Sequence, residues 1–195
     1  VGPLNNAIQE IRKLWNKPKE NLGDVWKQRI IDWRKESSTV RIEYPTRLDR
    51  ARSAGYKAKQ GVFVVRQKVP RGGFFRDKAM MGGRRSAHSG RIKNVGKNYQ
   101  VIAEERAQDH YPNAEVLNSY YVGHDGKHQW FEIIMVDPSH PAIQADKDLA
   151  WLIDKRGRSY RGLTAAGTRM RGQRWKGKGA EKNYPSLAAH GKRGK

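Results

Sequence analysis

The chain has 195 residues, with 40 Lys and Arg against 19 Asp and Glu, and a formal net charge of +21. Self-repulsion of that size weighs against a free compact domain and calls for a polyanionic partner, with nucleic acid first in line. The absence of cysteine excludes disulfides and Cys-ligated zinc and fits a reducing compartment, while no apolar run of about 18 residues is present to cross a membrane.

Neither a lipidation motif nor a secretory pattern is recognised, since VGPLNNAIQEIRKLW reads as a loop entering an amphipathic helix. Leu4, Ile8, Ile11 and Trp15 recur at helical spacing, so the first helix is expected over Leu4 to Trp15 and closes at Pro18. A second helix is expected over Asp24 to Lys35, with Asp24 as N-cap and Trp26, Ile30 and Trp33 as its apolar stripe. Helical spacing and mixed intervening charge assign these indoles to a core rather than to base stacking. Val40 to Tyr44 reads as a short extended piece.

Pro45 to Lys59, PTRLDRARSAGYKAK, carries Arg47, Arg50, Arg52, Lys57 and Lys59 against the lone acid Asp49, with Tyr56 as a flat ring among the cations. That composition suits a peptide that follows phosphates and stacks on a base. Val62 to Val69 reads as a strand with Val65, Gln67 and Val69 on one face and Arg66 and Lys68 on the other. From Pro70 to Lys97 regular patterning stops, and Arg71, Arg76, Arg84, Arg85, Arg91 and Lys93 are scattered among glycines, the composition of an arm that threads through nucleic acid.

Asn98 is expected to cap a helix over Tyr99 to His110, with Tyr99, Ile102, Ala103, Arg106 and Ala107 on one face and Glu104 and Glu105 elsewhere. Strands over Ala114 to Val122 and Gln129 to Val136 flank Asp125-Gly126, a strong hairpin signal. The second is apolar almost without a break and should be buried on both faces, which requires helices on both sides of the sheet. A short helix over Asp146 to Ile153 closes the block. Beyond Lys155 the chain turns basic and glycine-rich, with Arg156, Arg158, Arg161, Arg169, Arg171, Arg174, Trp175, Lys176 and Lys178 as RNA-binding candidates. Gly157, Gly162, Gly167, Gly172 and Gly177 fall five residues apart, a period of no regular structure and therefore read as accidental.

Charge alternates along the chain: +3 over residues 1–44, +13 over 45–97, −7 over 98–154 and +12 over 155–195. The organisation expected is an N-terminal helical segment packing on the core (1–44), a basic RNA-threading arm and loop with one core strand (45–97), an acidic globular core (98–154), and a basic tail that gains shape only on binding (155–195). Catalytic constellations are not found. The run from Gly172 to Gly179 resembles a Walker phosphate loop, but Gly179 stands where Ser or Thr would hold magnesium. His124, Asp125 and His128 read as a solvated turn rather than a metal site, and adjacent Glu104 and Glu105 project apart. Two rivals to RNA binding are a DNA-binding or chromatin-like architectural protein and an RNA-modifying enzyme built on Glu104, Asp137 and His140.

PTRLDRARSAGYKAKQG (45–61), IAEERA (102–107), VLNSYYVG (116–123), VDPSHPAI (136–143), RGLTAAG (161–167) and GKG (177–179) occur in the order that resembles the eukaryotic and archaeal large-subunit ribosomal protein L15e family, archaeal branch. The loop around Gly72 to Gly90 departs from that family in carrying fewer cations. The resemblance implies an α+β fold, an antiparallel sheet with helices on both faces and long basic extensions without a core of their own. It also implies a structural, non-enzymatic role in the cytoplasmic ribosome, with large-subunit ribosomal RNA and neighbouring ribosomal proteins as partners. No membrane, small-molecule substrate or homo-oligomer belongs to that expectation, and no cofactor beyond magnesium as counterion of bound RNA.

Overall fold

The computed structural model describes residues 3–75, 80–81, 84–85, 92–93, 96–186, 188–189 and 191. Its elements run α1 (Pro3–Leu14), α2 (Pro18–Asn21), α3 (Gly23–Lys35), β1 (Thr39–Ile42), α4 (Leu48–Ser53), β2 (Val62–Pro70), β3 (Phe74–Phe75), β4 (Met80–Met81), β5 (Arg84–Arg85), β6 (Ile92–Lys93), α5 (Tyr99–His110), β7 (Glu115–His124), β8 (His128–Val136), α6 (Pro141–Gln144), a 3₁₀ turn (Ala150–Leu152) and α7 (Ala165–Met170). The expected strand 62–69, helix 99–110 and hairpin around Asp125-Gly126 are all present.

One antiparallel sheet in the order β1-β2-β8-β7 carries the fold. β8 is its spine, because its side chains alternate between two apolar layers and need cover on each side. Trp130 and Ile134 enter one layer with Trp15, Trp26, Ile30, Trp33 and Val122. Phe131, Ile133 and Met135 enter the other with Val65, Val69, Ala103, Ala107 and Val116. Helices therefore lie on both faces, α3 on the first and α5 on the second, giving the expected α+β architecture. Each fully buried large apolar side chain in these layers contributes about 1.5–3 kcal/mol.

The indoles pack as expected of core residues. Trp15 meets Trp26 edge-on at 5.7 Å, Trp26 meets Trp33 at 6.0 Å, and Trp33 reaches Trp130 of the sheet at 5.8 Å. Gly123 in β7 makes room for them, since a Cβ there would stand 2.6 Å from the Trp26 ring. A bulge between Tyr121 and Gly123 places that glycine under the indoles.

Several local expectations need correction. The buried face of α5 is Val101, Ala103, Glu104, Ala107 and Gln108, so Glu104 faces inward and is fully buried. Amphipathic counting placed it outside because a carboxylate is costly to bury without partners. Asp24 does not cap α3; the cap position is Leu22, and the Asp24 carboxylate pairs with Lys27 at 2.9 Å in the first turn. The helix expected over 146–153 is a single 3₁₀ turn preceded by α6, capped by the His140 ring, and both close a third apolar cluster of Val136, Ile143, Leu149 and Leu152.

Candidate nucleic-acid interface

The basic segment after Pro45 is partly folded into the protein. Its backbone is tied at Thr46, whose N–H donates to the buried Glu132 carboxylate at 3.1 Å, and α4 buries Asp49 and Ala51. The Arg47 guanidinium lies 4.9 Å over the Trp15 ring and bonds Asp49 at 3.2 Å. Tyr56 packs half-buried against the tryptophan layer, a different place from the free stacking platform expected. Lys57 reaches Asp148 at 2.6 Å, and Lys59 reaches Asp146 at 2.6 Å. Arg50 and Arg52 project from α4 into solvent, and neither forms an ion pair with any acid among the described residues.

The tail is the larger correction, because its first half belongs to the core. Glu115 of β7 is buried and accepts from the backbone N–H of Gly157 at 3.0 Å and of Arg158 at 3.5 Å. Arg158, taken from sequence as an RNA contact, points inward: it is 9% exposed, donates to the carbonyls of Val116, Leu117 and Leu163, and lies 4.7 Å over the Trp151 ring. It leaves the candidate set. Thr164 donates to Glu104 at 2.5 Å and caps α7 by accepting from Gly167 N–H at 3.1 Å, while Ser119 donates to the other Glu104 oxygen. At Gly167 a Cβ would lie 2.5 Å from the Gly162 Cα, so two of the evenly spaced glycines are there for close backbone approach. Sequence reasoning missed Glu104, Glu115 and Thr164; the small uncharged run LTAAG inside a basic tail was the available signal.

Beyond α7 the chain turns outward. Arg174, Lys176 and Lys178 are exposed, as are Arg169 within α7 and Arg156 before it, and Trp175 is 71% exposed. Lys176 sits 5.1 Å from the Tyr184 ring. Arg161 and Arg171 are exposed but bond the carbonyls of Arg156 and Gly162. In the 70–97 loop, Arg71 donates to the Asp125 carbonyl at 2.7 Å, Arg84 and Arg85 form β5, and Lys93 ends β6; Arg76 and Arg91 lie outside the described residues.

Two concavities flank α4. One, of about 270 Å³, is lined by Arg50, Ser53, Gln100, Asn118, Arg169 and Arg174, with Ala165 and Ala166 of α7. The other, of about 430 Å³, is lined by Arg12, Trp15, Asn16, Arg47, Asp49, Arg50 and Ser53. The fold thus brings arginines more than a hundred residues apart in the chain, Arg50 and Arg169, to one cleft.

Glu104, Glu132, Asp125 and Asp146 of the acidic block are occupied internally. Burial raises the pKa of Glu104 and of Glu132, against hydrogen bonds from Ser119 and Thr164 in the first and from Thr46 and Tyr120 in the second. At Asp125 burial is outweighed by the Arg34 bond and the N–H groups of His128 and Lys127, which hold the pKa down at about 2; at Asp146 the Lys59 bond does the same, again to about 2. The negative sign of this block therefore hardly reaches solvent at these positions.

The three residues named for an RNA-modifying site, Glu104, Asp137 and His140, each serve the fold. Glu104 is sealed in the core, Asp137 caps the turn at Ser139, and the His140 ring caps α6. Among the described residues no group of three His, Cys, Asp or Glu is placed to hold a metal ion, and no helix is long and apolar enough to cross a membrane. Helix α7, not a strand, precedes the Walker-like run.

The sequence profile of the family described as Ribosomal L15, in its L15e form, matches residues 6–190. The chain belongs to the L15e family of ribosomal proteins. Large ribosomal subunit protein eL15 of Methanocella arvoryzae is 53% identical over 98% of this chain and 100% of its own length. The proteins of that name from Picrophilus torridus and Thermoplasma volcanium are each 50% identical, over 96% and 97% of this chain and 97% and 98% of theirs. These are archaeal relatives, which places this L15e chain in the archaeal branch of a structural, non-enzymatic family.

Proposed function

We propose that this L15e chain is a structural constituent of the large ribosomal subunit that binds and stabilises large-subunit ribosomal RNA, in the cytoplasm and beside other proteins of that subunit. The observation that carries this reading is the sorting of charge: in the middle of the chain Glu104, Glu115 and Glu132 are buried and Glu105, Asp125, Asp146 and Asp148 are ion-paired, whereas Arg50, Arg52, Arg156, Arg169, Arg174, Lys176 and Lys178 stay exposed. An uncompensated surface of that kind is the footprint of phosphate binding. Magnesium enters only as a counterion of the RNA, and the chain acts as one copy.

With about ten cations displacing counterions, the logarithm of affinity for large-subunit RNA falls with the logarithm of salt concentration at a slope of roughly −7 to −9. Salt-dependent filter binding measures that slope, and a flat profile would overturn the reading. A DNA-binding architectural protein shares the charge; substituting deoxyribose for ribose in the probe separates the two, because the RNA reading requires a loss of affinity.

A further inference from the structure

Resting on that reading, we infer that the cleft between α4 and α7 is a sequence-blind seat for the phosphodiester backbone of one RNA strand, gripped by Arg50 from one side and Arg169 and Arg174 from the other. The amide nitrogens and the Ser53 hydroxyl of the cleft floor already donate within the protein. The Asn118 amide donates to the Ala54 carbonyl at 3.3 Å, and its oxygen accepts from Ser119 N–H at 2.9 Å. The Gln100 amide donates to the Ser119 carbonyl and hydroxyl at 3.1 and 2.8 Å, and the Ser53 hydroxyl donates to the Arg50 carbonyl at 2.9 Å. Groups held this way are poor readers of base edges.

The three guanidinium groups are different. None takes part in a hydrogen bond, ion pair or ring contact among the described residues, and no acid lines the cleft. Forked donors without acceptors, lining one concavity of about 270 Å³ that has room for a single strand's backbone and not for a duplex, match the oxygens of successive phosphates on one strand. Because the Gln100 and Asn118 amide nitrogens and the Asn118 oxygen are engaged within the protein and the walls are cationic, the seat recognises charge and curvature but not base identity.

The test uses the full chain and fluorescent twelve-nucleotide oligouridylate and oligoadenylate at about 0.15 M salt. Replacing Arg50, Arg169 and Arg174 together with Gln is expected to weaken both probes by the same factor, about 100-fold or more, and to flatten the salt slope by about 2. Replacing Lys13, Lys27 and Lys35 of α1 and α3 with Gln removes as much charge and should cost less than about 10-fold, since those positions act only through the screened field. The triple Arg→Lys variant keeps the charge and should recover only part of the loss. Equal losses for the cleft and helix variants would overturn the seat while leaving RNA binding intact. A loss confined to one homopolymer would overturn its indifference to sequence. Failure of the unaltered chain to bind either homopolymer while it binds large-subunit RNA would overturn the seat, and failure to bind large-subunit RNA in a salt-dependent way would overturn the functional reading itself. Unchanged near-ultraviolet circular dichroism in every variant keeps misfolding apart from these outcomes.

Discussion

The tail divides into two parts of similar composition and opposite fate. From Lys155 to Met170 it is stapled down: Glu115 takes the N–H groups of Gly157 and Arg158, Arg158 caps carbonyls of β7, and Glu104 takes Thr164. From Arg171 to Lys182 the basic side chains stand in solvent around an exposed Trp175. Both parts are rich in Gly and Arg, so composition does not separate them. What separates them is whether the small neutral residues between the arginines meet a buried carboxylate. An acid in the core serves as a docking point for a basic peptide, which then carries its remaining cations outward in a set direction.

Substitutions of the inward-facing residues of the stapled half should break the fold, and those of its exposed arginines or of the projecting half only the binding. The largest effect is expected at Arg158→Ala, which strands buried carbonyls and removes the cation beside Glu104 and Glu115; a loss of about 3 kcal/mol or more in urea unfolding is expected, against less than ~0.5 kcal/mol for Arg156→Ala. Gly167→Ala drives a methyl into the Gly162 backbone and should cost about 2–3 kcal/mol while loosening α7, so RNA affinity falls with stability. For the same reason, cutting the chain after Asp154 should lower stability as well as affinity, because Glu104 and Glu115 lose their partners; a cut after Gly172 should lower affinity alone.

Titration sharpens the same contrast. The pKa of Glu104 is raised by burial, so the folded chain holds that proton more tightly than the unfolded one. Its contribution is fully present below the unfolded value and is lost as pH rises through the folded value; Glu104→Gln should remove that part of the pH dependence. Asp125 has the opposite sign: with a folded pKa near 2, its contribution is present above the ordinary aspartate value and disappears as pH falls toward 2. Carboxyl NMR should show the Asp125 midpoint moving upward in Arg34→Ala, where the first of the opposing bonds is gone. The smallest structural effect belongs to Trp175→Ala, within ~0.5 kcal/mol of the unaltered chain, although RNA should quench the fluorescence of that indole if it stacks on a base.

Periodicity and turn chemistry made much of this architecture legible: the Asn98 cap, whose side chain accepts from Val101 N–H at 2.8 Å, the Asp125-Gly126 hairpin, and the doubly covered β8 strand all follow from local rules. Charge counting likewise separated the basic stretches from the acidic block. It could not tell which arginines face solvent, because an arginine bonded to three carbonyls and one projecting into water are the same letter. Nor could spacing place Glu104 in the core, since burying a carboxylate depends on Ser119 and Thr164, distant in sequence, arriving to donate to it. Local backbone preference and net charge act between near neighbours and are written in the order of residues, whereas the partner of a buried ion and the walls of a cleft are settled only when remote segments meet.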